Sequence, residues 1–178
     1  IIPNLIKKKK LKGIITKSFF IDIGTENNLK KAKKLIPLFF RRPAVFLDRD
    51  GVINHDTNYC FKIKDFKFKD KILDALKYLA KKNYYIFVIT NQAGIAKNKF
   101  SLTEFFNLHK YLKSYLNKMY INFDNVEYCP YHKNATILKY KKNSTLRKPN
   151  NGMVKNIRRN WLLDNKKCFM IGDKEVDK

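Results

Sequence analysis

Two aspartates, Asp48 and Asp50, are the residues of this chain whose spacing most directly suggests chemistry. They follow the apolar run from Ala44 to Leu47 and are followed at once by Gly51. Such a run is typical of a buried parallel strand, and open α/β sheets gather their sites at the carboxyl ends of these strands. Because side chains alternate along a strand, carboxylates two positions apart leave it on the same side. One of them could attack a phosphorus atom while the other carries the proton.

Three later segments carry the polar residues that a phosphoryl-transfer site requires. That reaction needs a nucleophile in line with the leaving oxygen and positive charge around the equatorial phosphoryl oxygens. The segments fall at or near the ends of predicted strands, and they are Thr90-Asn91, Arg147-Lys148 and Asp173. Each of them alone would be typical of a turn or a solvated surface. Their order along one chain, behind the two aspartates, predicts a single site.

Each of the main residues can be given a role. Asp48 is the candidate nucleophile and would form an acyl-phosphate. Asp50 is the candidate acid and base, which would protonate the leaving alkoxide and then activate water. Thr90 would bind a phosphoryl oxygen through its hydroxyl and backbone N–H, and Lys148 would neutralise the phosphoryl charge and the nucleophile. Asp173, together with the nucleophile, offers hard oxygen ligands of the kind that Mg²⁺ prefers.

The elements that would position these residues alternate between strand and helix. Strands are predicted over residues 44–48, 84–90, 125–129 and 167–172. Helices are predicted over residues 72–79, 102–119 and 152–163, and residues 52–68 are expected to be irregular or hairpin-like. This alternation predicts an α/β fold in which a Rossmann-like parallel sheet is flanked by helices.

The composition fits one α/β domain of ordinary size, since 44% of the 178 residues are hydrophobic. No apolar run approaches the roughly 20 residues that a membrane span needs, so no membrane partner is expected. The first residues have no signal-peptide layout, which predicts a cytoplasmic protein. Cys60, Cys129 and Cys168 are widely spaced and odd in number, which favours reduced thiols over a disulfide framework.

The net charge of +24 does not by itself indicate a specific nucleic-acid partner. The chain has 33 lysines but six arginines, and lysine shares A/T-rich codons with the abundant asparagine, isoleucine, phenylalanine and tyrosine. The lysines are spread along the whole chain, and no helix-turn-helix, RNA-recognition or zinc-finger signature accompanies them. Charge alone gives only non-specific attraction to nucleic acid. A positive field would nevertheless draw in a phosphorylated substrate.

Residues 44–178 resemble the haloacid dehalogenase superfamily of aspartate-nucleophile phosphatases. Within it they are most similar to the D-glycero-D-manno-heptose 1,7-bisphosphate phosphatase family. The resemblance is carried by the string from Phe46 to Asn54 and by the string from Val88 to Ala96. It continues in the same order through Tyr128-Cys129-Pro130, Arg147-Lys148-Pro149, Gly152-Met153, and Ile171-Gly172-Asp173-Lys174 with Asp177.

The resemblance implies a Mg²⁺-dependent phosphatase that acts on a small phosphorylated sugar. It implies that Asp48 and Asp173 bind Mg²⁺ together with the backbone carbonyl of Asp50. Four further residues are expected in or beside the substrate pocket, and they are Asn54, Asn91, Arg147 and Lys174. The expected reaction removes the 7-phosphate of the heptose bisphosphate and supplies nucleotide-heptose for lipopolysaccharide and other surface polysaccharide. Histidinol-phosphate phosphatases share much of the pattern and are the alternative, and a degenerate module without catalysis is a third hypothesis.

The structural Zn²⁺ site that is common in this family is not reproduced in the sequence. Family members carry a Cys-x-His pair and a later Cys-x-Cys pair just before Arg-Lys-Pro. Here Cys129-Pro130-Tyr131 has tyrosine in place of the histidine, and His132 comes one position late. Ser144-Thr145-Leu146 stands where the later pair would be. Because structural Zn²⁺ wants four ligands, we expect no zinc. The loop over residues 131–146 is then expected to be held by packing instead or to be mobile.

Residues 1–36 differ in character from the rest of the chain. The string from Phe20 to Thr25, with a predicted helix that contains Ala32, resembles the C-terminal end of a sugar-phosphate nucleotidyltransferase. Pro37 is expected to end that helix, and residues 37–43 are expected to form a linker to the phosphatase part, residues 44–178. That part stops short of the last elements of the family. We therefore expect a piece of a fused protein whose upstream nucleotidyltransferase consumes the sugar 1-phosphate, with an unrelated extension as the alternative.

Overall fold

The computed structural model describes residues 2–177. The chain divides into two compact units, Ile1–Phe40 and Arg41–Lys178. Among residues 2–177, no helix combines the length and the apolar character that crossing a bilayer requires.

The first unit contains two helices, α1 (Ile2–Lys7) and α2 (Glu26–Phe40). Helix α2 begins as predicted, because Thr25 Oγ1 accepts a hydrogen bond from the backbone N–H of Asn28 at 3.2 Å, as an N-cap does. The prediction that Pro37 ends this helix is wrong, since the helix continues to Phe40. A proline removes one backbone hydrogen bond, and the residues after it can still complete the last turn. The expected linker therefore begins inside the helix.

A four-stranded parallel sheet organises the second unit. Its strands are β1 (Ala44–Leu47), β2 (Tyr85–Asn91), β3 (Asn125–Cys129) and β4 (Phe169–Ile171), in the order β3-β2-β1-β4. The helices between them are α3 (Ile72–Lys81), α4 (Ala93–Ala96), α5 (Leu102–Asn117) and α6 (Gly152–Asn160). This architecture confirms the predicted α/β fold with a parallel sheet and flanking helices. It also places the carboxyl ends of all four strands at one edge of the sheet.

Strand β1 lies at the centre of the core and is buried along its whole length. Val45 and Leu47 pack on one face of the sheet with Leu76 of α3. Phe46 packs on the opposite face with Ile157 of α6. Because apolar contacts cover both faces, the backbone that leads into the two aspartates is firmly held.

The boundaries of several elements differ from the predicted ones for local reasons. Helix α5 begins at a capping box, in which Ser101 Oγ accepts from the backbone N–H of Glu104 and the glutamate side chain accepts from the backbone N–H of Ser101. Helix α6 ends at Asn160, earlier than predicted, because Trp161 turns to extended backbone and packs edge-on against Tyr85 of the sheet. The four-residue helix α4 was not predicted, since its length is too short for a periodic pattern.

Candidate functional site

A cleft with a volume of about 260 Å³ opens at the carboxyl edge of the sheet. Most of the residues that the sequence predicts for the site line this cleft, namely Asp48, Asp50, Thr90, Asn91, Arg147, Lys148 and Lys174. They come from the ends of β1 and β2, from the loop before α6 and from the segment after β4. The parallel topology brings these distant segments together, because their strands all end at the same edge.

Asp48 follows β1 directly and is 6% exposed. Its Oδ1 accepts a hydrogen bond from the backbone N–H of Arg49 at 2.7 Å and forms an ion pair with Lys148 Nζ at 2.9 Å. Burial raises the pKa of Asp48, and the ammonium group of Lys148 opposes that rise. Both of these contacts engage one oxygen, so Oδ2 has no protein partner among residues 2–177 and stays available to a ligand in the cleft.

Lys148 is buried between two carboxylates and is fixed by an asparagine. Its Nζ lies 2.6 Å from Asp177 Oδ1, in addition to its contact with Asp48. Its backbone N–H donates to Asn91 Oδ1 at 3.0 Å, and Asn91 Nδ2 donates to the Lys148 carbonyl at 3.2 Å. The Asn91 side chain therefore clamps the loop before α6 to the end of β2. The sequence placed Asn91 in the pocket but did not predict this clamping contact.

Three carboxylates form a cluster that includes Asp48. Asp48, Asp173 and Asp177 each offer one oxygen, and these oxygens all lie within 4.8 Å of one another. The turn after β1 packs against this cluster through Gly51, whose φ is +94° and whose missing Cβ leaves room for the Asp173 carboxylate. A set of hard, anionic oxygen ligands fits Mg²⁺.

Asp177 is a member of this cluster whose role the sequence alone does not indicate. In the sequence it appears only as part of the string after β4. Its spacing from Asp173 becomes informative once the 3₁₀ turn over Glu175–Asp177 returns its carboxylate towards the cluster.

The Asp50 carboxylate is enclosed by hydrogen-bond donors. Arg49 Nε donates to Oδ1 at 3.0 Å and Arg49 Nη2 donates to Oδ2 at 2.8 Å. Asn54 Nδ2 donates to Oδ1 at 3.0 Å, and Gln92 Nε2 donates to Oδ2 at 3.0 Å. Asn54 is fully buried, so it lies beneath Asp50 and beside the cleft rather than in it. Arg49 and Gln92 had no predicted role, although an arginine between two aspartates signals a buried ion pair.

The mouth of the cleft is crossed by an ion pair. Lys174 Nζ lies 2.8 Å from Asp56 Oδ2, so the loop after β1 meets the segment after β4 at this point. Hydrogen bonding from Lys174 lowers the pKa of Asp56, and the same contact raises the pKa of Lys174. Arg147 also lines the cleft. The mouth thus carries two cationic side chains, one of which is already paired.

The loop over residues 131–146 has packing contacts with the rest of the second unit. Tyr140 and Ala135 are buried in a cluster with Phe100 and Phe105. The backbone N–H of His132 donates to the Tyr140 carbonyl at 3.1 Å. His132 Nδ1 accepts from the backbone N–H of Asn134 at 3.0 Å, which is a turn contact within the loop.

The chain is similar to known proteins over the second unit. The family model for polynucleotide kinase 3 phosphatase matches residues 45–176, so it does not bear on the predicted nucleotidyltransferase remnant, residues 1–36. A D-glycero-beta-D-manno-heptose-1,7-bisphosphate 7-phosphatase of Photorhabdus laumondii is 42% identical over 135 residues, which are 76% of this chain and 72% of that protein. The protein of the same name from Escherichia coli K12 is 36% identical over 135 residues, which are 76% of this chain and 71% of that one.

Solved structures show the same fold. An HAD-like phosphatase of Mesorhizobium loti matches with a TM-score of 0.71 and 31% identity, over 77% of this chain and 66% of that one, just under two thirds. The D,D-heptose 1,7-bisphosphate phosphatase of B. bronchiseptica, complexed with magnesium and phosphate, matches with a TM-score of 0.67 and 25% identity, over 76% of this chain and 72% of that one. Family model, sequence relatives and fold therefore agree that the chain belongs to the haloacid-dehalogenase-like phosphatases, in the D-glycero-β-D-manno-heptose 1,7-bisphosphate 7-phosphatase family.

Proposed function

We propose that this protein is a Mg²⁺-dependent phosphomonoesterase that works through an aspartyl-phosphate and removes the 7-phosphate of D-glycero-D-manno-heptose 1,7-bisphosphate. The observation that carries the proposal is the meeting of the Asp48 carboxylate, the Lys148 ammonium group and the Asp173–Asp177 carboxylates beside one cleft. The printed names of the sequence relatives supply the substrate.

The first half of the reaction uses the two aspartates after β1. Asp48 Oδ2 attacks the phosphorus atom, so an acyl-phosphate bond forms as the ester P–O bond breaks. Asp50, in its protonated form, gives its proton to the leaving sugar oxygen. Thr90 donates a hydrogen bond to a phosphoryl oxygen, and Lys148 neutralises the negative charge that the nucleophile and the phosphoryl group bring together.

The second half restores the resting protein. Asp50, now ionised, accepts a proton from a water molecule whose oxygen attacks the phosphorus atom. The acyl-phosphate bond breaks, inorganic phosphate leaves, and Asp48 returns to its free carboxylate. Asp50 gives up one proton in the first half and regains one in the second, so it ends the cycle in the protonated form in which it began.

The residues that would hold Mg²⁺ are Asp48, Asp173 and Asp177, with the backbone carbonyl of Asp50 as a further oxygen donor. When bound, Mg²⁺ supplies positive charge that offsets the repulsion between the carboxylates and the phosphoryl oxygens. Arg147 and Lys174 line the same cleft and provide positive charge for the second phosphate of a bisphosphate substrate.

The test is the release of inorganic phosphate by the purified protein with MgCl₂ and with EDTA. The substrates are the heptose bisphosphate, histidinol phosphate and a 3′-phosphorylated oligonucleotide. We expect the highest kcat/KM for the heptose bisphosphate, and a loss of about 10³-fold in kcat for Asp48→Asn because the nucleophile is removed. Asp74→Asn, an exposed aspartate of α3, is the control. A preference for either other substrate would overturn the substrate assignment, and full activity of Asp48→Asn would overturn the mechanism.

We also propose that a nucleotidyltransferase domain lies upstream in the intact protein, with both activities in the cytoplasm. Support comes from the resemblance of residues 1–36 and from chemistry, because a sugar 1-phosphate is what such a transferase consumes. Recovery of the full reading frame tests this proposal. An upstream sequence without a nucleotide-binding domain would contradict it.

A further inference from the structure

Gln92 stands between two groups that the proposed reaction uses, the Asp50 carboxylate and the Thr90 hydroxyl. We propose that Gln92 is a positioning residue, which holds the Asp50 carboxylate at a fixed place relative to the Thr90 hydroxyl. This inference rests on the proposed phosphatase function and names a residue of the same site.

The amide of Gln92 contacts both groups directly. Gln92 follows β2 and is 3% exposed, and it lies against the cleft. Its Nε2 donates to Thr90 Oγ1 at 2.9 Å and to Asp50 Oδ2 at 3.0 Å. Its backbone N–H donates to the Cys129 carbonyl at 2.8 Å, so the residue is anchored to β3 as well. One nitrogen atom therefore links the candidate proton carrier to the candidate phosphate ligand.

Arg49 fixes which end of the amide faces the cleft. Arg49 Nη2 lies 3.3 Å from Gln92 Oε1. A guanidinium group has donors only, so the partner atom must be the amide oxygen. The nitrogen of Gln92 then faces Thr90 and Asp50, and both of its hydrogens are used.

This arrangement determines what the Thr90 hydroxyl can do. The oxygen already accepts from Gln92, so its own hydrogen is directed to another acceptor. Thr90 lines the cleft, and a phosphoryl oxygen is an acceptor. Gln92 thereby prepares Thr90 to donate to the substrate.

The same arrangement determines where Asp50 stands. General acid catalysis needs the carboxyl group within hydrogen-bond reach of the leaving oxygen. Arg49 and Asn54 approach Asp50 from the protein side, whereas Gln92 alone ties it to a residue that binds the phosphoryl group. Loss of this tie lets the proton carrier drift from the reacting bond, and a displacement of about 1 Å is worth roughly 10²-fold in rate.

The experiment compares Gln92→Leu and Gln92→Glu with the parent protein on two leaving groups. An alkyl leaving group such as the sugar needs the proton from Asp50, whereas p-nitrophenolate leaves without it. We expect kcat/KM to fall about 10²-fold for the sugar phosphate and less than about tenfold for p-nitrophenyl phosphate. Gln92→Glu keeps the size of the side chain and carries the same expectation if the leucine variant unfolds.

The control is Asn156→Leu, which removes a half-buried amide whose Nδ2 donates to Glu127 Oε2 at 3.1 Å, away from the cleft. It should leave both kcat/KM values unchanged. Equal losses on the two substrates, or no loss on either, would overturn the positioning role while the parent protein still releases phosphate. A parent protein that hydrolyses neither ester would overturn the proposed function itself and this inference with it.

Discussion

Lys148 Nζ lies closer to Asp177 Oδ1 than to Asp48 Oδ1, at 2.6 Å against 2.9 Å. The ammonium group thus divides its charge between the candidate nucleophile and another carboxylate of the Asp48–Asp173–Asp177 cluster. A divalent cation at the cluster would neutralise Asp177 in its place. With a metal bound, the charge of Lys148 would act on Asp48 and on the phosphoryl group alone. Metal binding at the carboxylate cluster would thus be coupled to the charge around the candidate nucleophile.

The first prediction concerns the removal of this ammonium group. Lys148→Met leaves Asp48 and Asp177 close together with no cation between them, and an unpaired buried charge costs about 3 kcal/mol. We expect the free energy of unfolding at pH 7 to fall by about that amount in EDTA, and MgCl₂ to restore part of it. Chemical denaturation with and without MgCl₂ measures both effects.

The matched control for this variant is Lys155→Met, an exposed lysine of α6. It should change the free energy of unfolding by less than about 0.5 kcal/mol and should not respond to MgCl₂. A Lys148→Met protein whose stability equals that of the control would show that the two carboxylates are not under mutual repulsion.

The second prediction concerns the turn after β1. Gly51→Ala places a Cβ at a backbone φ of +94° and drives it into the Asp173 carboxylate. The left-handed backbone costs about 1–2 kcal/mol, and Asp173 must move away from the cluster. We expect lower stability and a weaker apparent affinity for Mg²⁺, as read from the MgCl₂ dependence of phosphate release.

Gly13→Ala is the control for the turn, because a Cβ at Gly13 meets nothing within 4 Å. That variant should keep the parent's stability and its Mg²⁺ dependence. If Gly51→Ala loses stability but keeps the Mg²⁺ dependence, the turn does not position Asp173.

The sequence indicates which residues come together wherever the backbone alone decides the outcome. Asp48, Thr90 and Lys148 converge because parallel strands end at one edge, and apolar runs followed by polar residues reveal those ends. The contacts of Gln92 and Asp177 depend instead on the direction of a side chain after a short turn. The type of a residue does not fix the direction of its side chain. The sequence therefore shows that Gln92 and Asp177 are present but does not predict their contacts.

In the fold, too, a residue pattern alone does not predict where α2 ends or that α4 forms. Pro37 was expected to end α2 because proline lacks an N–H, yet one lost hydrogen bond does not stop the last turn. Helix α4 has four residues, and its glycine, Gly94, is required by the close approach of the Phe100 and Tyr59 side chains. A local count of hydrogen bonds accounts for α2, whereas contacts with Phe100 and Tyr59 shape α4.

The third prediction concerns the ion pair at the mouth of the cleft. Asp56→Asn removes a negative charge from the wall that an anionic substrate passes and frees Lys174 from its partner. We expect KM for the bisphosphate to fall by about twofold at low salt with kcat unchanged, since exposed pairs are worth up to about 1 kcal/mol. The effect should disappear in about 0.5 M salt because the charges are then screened.

The pH dependence of this pair follows from its two shifted pKa values. The pKa of Asp56 is lowered, so its contribution to stability is present above the unfolded value of 3.8 and is lost as pH falls through the folded value. The pKa of Lys174 is raised, so its contribution is present below 10.5 and is lost as pH rises through the folded value.

A KM that is equal in Asp56→Asn and the parent at neutral pH and low salt would show that the pair has no part in substrate entry.

A histidine on α5 gives the protein an acid-sensitive point outside the cleft. His109 Nδ1 bonds to the Phe105 carbonyl at 2.9 Å, and its ring lies 4.1 Å from the Phe105 ring. Burial, with a smaller contribution from the positive charge of Arg49, lowers the pKa of His109 from 6.5 to about 4. Asp50 acts in the opposite direction but more weakly. The folded protein therefore holds this imidazole neutral where the unfolded chain would protonate it.

The fourth prediction follows from that difference. Because the folded pKa is the lower one, the unfolded chain binds the additional proton, so stability falls as pH drops from 6.5 towards about 4. At about 1.4 kcal/mol for each pH unit, the parent should lose on the order of 2–3 kcal/mol more than His109→Gln between pH 7 and pH 4.5. Urea denaturation at the two pH values measures the loss, with the exposed His55→Gln as control. If His109→Gln loses as much as the parent, the acid sensitivity resides in the paired carboxylates of the site.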